Sequence, residues 1–167
     1  EQKRAETIHS FQNALAKKEF QIYFQPKISG KTQKIASAEV LVRWLREDGT
    51  LWFPDSFLPI LEETGEIESL DYYVYNAAFQ WLADRRKKGL PLLPLSLNVS
   101  PVHFHKIDTF TQRITQLLDH YQIPSKYLVF EITETTYIHN IDAVNQMIRF
   151  FHDRNIRISM DDFGSGY

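Results

Sequence analysis

Four short apolar runs in this chain each carry a carboxylate or an amide, and their spacing is what most limits the fold. The runs are A-E-V-L-V-R-W with Glu39, L-S-L-N-V-S with Asn98, V-F-E-I-T-E with Glu131, and I-S-M-D-D-F-G-S-G-Y with Asp161 and Asp162. Asn98 and Glu131 lie 33 residues apart, and Glu131 and Asp161 lie 30 apart. Either interval is about the length of one strand–helix–strand unit. If the runs are parallel strands, oxygen-bearing residues that the sequence scatters gather at one edge of a sheet.

The intervening segments support that reading. Residues 1–18 predict a helix, because Ile8, Phe11, Ala14 and Leu15 form one apolar stripe. The helix fits equally a connector from an upstream domain and a helix docked on this one. Residues 20–25 (F-Q-I-Y-F-Q) alternate and predict a strand that Pro26 stops. A turn at Gly30-Lys31-Thr32, a second strand over 35–44 and a tight turn at Asp48-Gly49 follow. Asp55 or Ser56 is expected to cap a short helix closing at Gly65, and Ser69 a longer one ended by Gly89. Strands over 95–99, 127–132 and 156–160 then alternate with a helix over 107–121 and another capped by Asp142. Asn155 is placed as a left-handed cap after the latter.

Alternating helix and strand predict an α/β fold with a mainly parallel sheet. No G-x-G-x-x-G follows the first strand, as an open dinucleotide-binding sheet would ordinarily require. Ligands from several strand ends suit instead a TIM-type (β/α) barrel. A whole barrel takes roughly 250 residues. The 167 residues are therefore expected to hold a barrel truncated after about its fifth strand, behind the helix at 1–18.

Composition narrows the partners. Nineteen basic against 21 acidic residues give a net charge of −2, so neither a nucleic-acid polymer nor membrane contact by this segment is expected. Without cysteine, disulfides and thiolate metal sites are excluded, and a cytoplasmic setting is expected. Because the chain opens at Glu1, a longer parent protein is expected, which a membrane anchor elsewhere could hold.

Carboxylates and an amide are hard oxygen donors and favour Mg²⁺ or Mn²⁺ over zinc. Adjacent Asp161 and Asp162 could reach two ions, an arrangement suited to in-line displacement at phosphorus. Arg43, four residues after Glu39, points the same way on one strand and is a natural phosphate partner. His103 and His105 are expected at the surface, Ser69, Asp108 and Asp142 as helix caps, and Tyr72, Tyr73 and Tyr75 as a mix of core and surface.

In this order E-V-L-V-R-W, N-V-S, E-I-T-E and D-D-F-G-S-G-Y, with F-Q-P-K-I and P-D-x-F-L-P-I-L-E-E-T-G, resemble the EAL-domain family over about residues 20–167. The resemblance implies that residues 19–167 are the N-terminal two-thirds of a domain that hydrolyses cyclic di-GMP to the linear dinucleotide. It implies metal ligation by Glu39, Asn98, Glu131 and Asp161, with Asp162 serving a second Mg²⁺ or Mn²⁺ ion. Glu39, Glu131, Asp161 and Asp162 would then be catalytic. Gln25 resembles a guanine contact, Leu41 and Arg43 resemble substrate contacts with Arg43 on phosphate, and Glu134 resembles the residue that holds the glycine-containing loop after the fifth strand. Val40 replaces the family's usual Ala, and Ser165 its common Thr. The family's catalytic Lys, a further metal-binding Glu and a Gln of the last strands have no counterpart up to Tyr167, so activity is expected of the complete domain and not of the isolated chain. Implied partners are cyclic di-GMP, an upstream sensory or diguanylate cyclase domain and a second copy in a homodimer. A non-catalytic cyclic di-GMP receptor and a protein-interaction module are the alternatives.

Overall fold

Helix α1 (Gln2–Ala16) leads into a long antiparallel hairpin of β1 (Phe20–Ile28) and β2 (Ile35–Leu45), and a two-residue strand β3 (Leu51–Trp52) folds back on the end of β2. This is a computed structural model of the chain, and it describes residues 1–161. The roles expected of Asp162 and of the loop at 163–167 lie outside the described residues. Helices α2 (Pro54–Thr64) and α3 (Ile67–Lys87) come next. The chain then alternates: β4 (Leu95–Asn98), α4 (Ile107–Tyr121), β5 (Leu128–Thr133), the short α5 (Glu134–His139), α6 (Ile141–His152) and β6 (Arg157–Asp161). The sheet runs β1-β2-β4-β5-β6, antiparallel at β1–β2 and parallel from β2 onward.

Pro26 does not stop the first strand, which continues through it to Ile28. Among the described residues strand β1 pairs only with β2 and lies at the sheet edge, where a residue without an N–H can face away from the ladder. The expected caps also move. Helix α2 starts with Pro54 in its first turn, where the fixed φ of proline is already helical, so Asp55 and Ser56 fall inside it. Gly65 does end it, in the left-handed region at φ 77°. Ser69 lies within the first turn of α3, and Asp142 within that of α6. Asp108 accepts a hydrogen bond from Gln146 Nε2 of α6 at 2.5 Å instead of capping α4. Asn155 is left-handed as expected, at φ 58°.

Two apolar clusters hold these layers. Ala38, Val40, Leu95, Leu97, Phe130 and Ile132 of the sheet pack against buried residues of α3, α4 and α6. At their centre the rings of Phe130 and Phe151 stack at 5.1 Å, and Phe110 meets both edge-on at 5.7 and 6.1 Å. The second cluster joins Phe11 and Ala14 of α1 to Phe20, Trp44, Phe57 and Leu61. Phe11 is fully buried, 5.6 Å from the ring of Phe20. Helix α1 thus packs on the domain through Phe11 and Ala14. No helix among the described residues is long and apolar enough to cross a membrane.

Candidate active site

The two faces of the sheet have opposite chemistry, and strand register decides which residues share a face. Leu95, Leu97, Leu128, Phe130 and Ile132 alternate onto the helix-packed face. Ser96, Asn98, Val129 and Glu131 therefore alternate onto the other, with Asn98 directly opposite Glu131 and Ser96 opposite Val129. Glu39 is level with Ser96 on β2, and Gln25 is level with Glu39 on β1. Residues expected to act together from four strands thus share one face. On β6, Ser159 is level with Glu131 and Asp161 with Thr133.

Side-chain contacts join two of them and hold a third from β1. Asn98 Nδ2 lies 3.4 Å from Glu39 Oε1. Glu131 is only 5 % exposed, and its Oε1 accepts from Lys27 Nζ at 2.8 Å. Strands β1 and β5 are three steps apart in the sheet, about 14 Å if it were flat. Side chains stand roughly perpendicular to a sheet, so the contact requires strong curvature, with the polar face on the concave side. That is the curvature of a barrel wall.

Arg43 shares this face four positions beyond Glu39 and is half-buried. Its guanidinium lies 4.8 Å from the ring centre of Phe53 and 5.9 Å from that of Tyr23, and Nη1 donates to the Val42 carbonyl at 2.8 Å. Leu41, opposite Tyr23, lies between Glu39 and Arg43 on that face. Glu134 opens α5 directly after Thr133, whose hydroxyl accepts from the Thr136 amide at 3.1 Å.

The end of β4 is fixed by residues without an assigned role in the sequence. Tyr75 is buried in α3 and donates its hydroxyl to the Asn98 carbonyl at 2.7 Å. Burial, with Asp71 and Tyr72 nearby, holds its phenol well above the usual tyrosine range. Asp71 accepts from the Ser100 amide at 3.1 Å and lies 2.8 Å from His103 Nε2. His103 is therefore not at the surface; it is 2 % exposed, packed 4.6 Å from the ring of Phe110. His105 is exposed as expected. Lys27 too was missed, although it stands two residues after Gln25 and so on the same side of the strand. The sequence pattern alone ends the strand at Pro26.

The donors at this face are oxygens, and the buried carboxylate of Glu131 already draws a cation. Glu39, Asn98 and Glu131 therefore fit a hard divalent ion such as Mg²⁺ or Mn²⁺ better than zinc. Among the described residues no three His, Asp or Glu side chains group so as to hold a metal ion by themselves.

A curved, mainly parallel sheet with helices on its convex side and oxygen donors on its concave side defines a protein of the (β/α)-barrel class. Within that class the chain belongs to the EAL domain family, whose profile matches residues 8–167. It is 32% identical over 160 residues to the cyclic di-GMP phosphodiesterase PdeF of Escherichia coli, covering 96% of this chain and 21% of that protein. It is 28% identical over 166 residues to the bifunctional diguanylate cyclase/cyclic di-GMP phosphodiesterase MucR of Pseudomonas aeruginosa, covering 99% and 24%. The chain thus spans about a quarter or less of these curated relatives. The solved phosphodiesterase PaMucR in complex with c-di-GMP superposes with a TM-score of 0.89 at 25% identity, over 97% of this chain and 65% of that one. The Pseudomonas aeruginosa FimX EAL domain bound to c-di-GMP shares the fold, with a TM-score of 0.84 at 23% identity over 96% and 63%.

Proposed function

We propose that this chain contributes the first part of the site of a metal-dependent phosphodiesterase that hydrolyses cyclic di-GMP to the linear dinucleotide. The observation that carries this is the convergence of Glu39, Asn98 and a buried Glu131 on one concave face that also bears Arg43. Relatives named for that activity support it.

In this proposal Glu39, Asn98, Glu131 and Asp161 hold one Mg²⁺ or Mn²⁺ ion, and Asp162 serves a second. When bound, such ions supply an activated water and neutralise charge on the phosphoryl oxygens. Asn98 orients the Glu39 carboxylate through its amide. Arg43 binds a phosphate of the substrate, its guanidinium held beside Tyr23 and Phe53 until then. Gln25 reads a guanine edge, Leu41 packs against the substrate, and Glu134 steadies the loop after β6.

The test is conversion of cyclic di-GMP to linear product by the protein at its full natural length, with Mg²⁺ or Mn²⁺ present and after chelation. Activity lost on chelation and in Glu39→Gln is the expected result; no turnover with either metal refutes the proposal. The second reading, a receptor that binds cyclic di-GMP without cleaving it, draws on the Lys27 ammonium already seated on Glu131. It predicts calorimetric binding of the nucleotide without metal and without product.

A further inference from the structure

The ion pair between Lys27 and Glu131 is the feature of this face that ligand roles leave unexplained. The two residues are 104 positions apart, on strands that are not neighbours, and they meet at 2.8 Å. Glu131 is 5% exposed and Lys27 47% exposed, so a half-exposed cation rests on a buried anion. A buried carboxylate needs a compensating charge. Lys27 supplies it from a flexible stem at the edge of the sheet, beyond the point at which Pro26 was expected to end β1.

We infer that Lys27 is the resident counter-cation of this ligand set and that a divalent ion reaches Glu131 only in competition with it. This rests on the metal dependence proposed above. Either Lys27 withdraws into solvent when the ion arrives, or it keeps Oε1 while the ion takes Oε2. In both cases its positive charge opposes the ion and sets a threshold concentration for loading. Without the ion it keeps Glu131 paired, so the face folds without its metal. A unit charge facing a divalent ion near contact is worth about tenfold in affinity even at the dielectric of water. Half-exposure of the ammonium adds salt screening, so the effect shrinks as ionic strength rises.

The experiment is calorimetric titration of Mn²⁺ into the full-length protein, as wild type, Lys27→Met, Lys27→Arg and Glu131→Gln, with melting curves in chelator and in Mn²⁺. Lys27→Met should bind Mn²⁺ about tenfold more tightly, and Lys27→Arg, which keeps the charge, within about threefold of wild type. Metal-free Lys27→Met should melt below wild type and gain more from Mn²⁺. Unchanged or weaker Mn²⁺ binding by Lys27→Met, where Glu131→Gln abolishes it, overturns the competition and leaves the metal site standing. The same holds if Lys27→Met melts lower by an equal amount with and without Mn²⁺, which makes Lys27 a structural tie only. If wild type and Glu131→Gln bind Mn²⁺ alike, or neither binds, the metal site itself fails and the competition with it.

Discussion

Replacing Tyr75 by Phe removes one oxygen and leaves the shape of the core unchanged, which makes its consequence calculable. The ring is 1% exposed and lies about 6 Å from the rings of Tyr72, Phe110 and Phe130, so packing is conserved. The hydroxyl donates to the Asn98 carbonyl at 2.7 Å, and losing that bond should cost about 1 kcal/mol at neutral pH. The same oxygen also makes stability depend on alkali. Burial first, then the negative charge of Asp71 and of ionised Tyr72, raises the folded-state pKa well above 10.0. The folded protein therefore keeps the proton, whereas the unfolded chain releases it above about pH 10. Bound protons are then fewer in the unfolded state, so stability falls as pH rises, by about 1.4 kcal/mol per pH unit for this one group. Tyr75→Phe lacks that slope while sharing every other alkaline titration. The variant should thus be about 1 kcal/mol less stable at pH 7 to 9, level with wild type near pH 10.5 to 11, and the more stable beyond. Urea denaturation followed by circular dichroism across that range measures the difference directly. A gap that stays constant from pH 7 to 11 would refute the buried-phenol assignment, and no gap at neutral pH would refute the hydrogen bond to Asn98.

Asp71→Ala strips the partner from buried His103 and from the Ser100 amide, and should cost about 2–4 kcal/mol in urea denaturation, with faster hydrogen exchange at Ser100. A loss below about 0.5 kcal/mol would mean that the Asp71 carboxylate does not hold the end of β4. Phe110→Ala opens the centre of the larger cluster, where the ring is fully buried against Phe130, Phe151 and Tyr75. It should lose about 3–5 kcal/mol and lower the calorimetric Tm by about 10 °C or more.

The parallel part of the fold was readable because each strand and helix there states its own period. The helix expected over 107–121 coincides with α4, and the strands after it fall within a residue or so of their expected ends. What failed was local chemistry overruled by tertiary placement. Pro26 reads as a stop in any central strand, and only its position at a sheet edge, a property of the whole sheet, lets β1 run on. Asp55, Ser69, Asp108 and Asp142 all resemble caps, yet each lies one to three residues inside a helix whose start is set by the preceding turn and by packing. His103 reads as a surface residue because no local pattern pairs it with an acid. Its partner, Asp71, is 32 residues away on α3.

The candidate site divides along the same line. Glu39, Asn98 and Glu131 were legible as sharing one face because strand spacing and motif are both local, and parallel register then converts sequence spacing into adjacency. Lys27 was not, because its contact crosses three strand steps and exists only when the sheet curves. A two-residue period assigns a face, but it says nothing about the bend that makes distant strands confront each other. Once curvature is granted, the F-Q-P-K-I run acquires a second meaning. Gln25 and Lys27 project from the same side of β1, one opposite Glu39 in the ladder and the other onto Glu131 across the concavity. An antiparallel edge strand thereby brings two of its polar side chains level with or onto carboxylates of two parallel strands. The positive charge needed by a buried carboxylate thus comes from the edge strand of the sheet, across the concavity from the strand that carries the carboxylate.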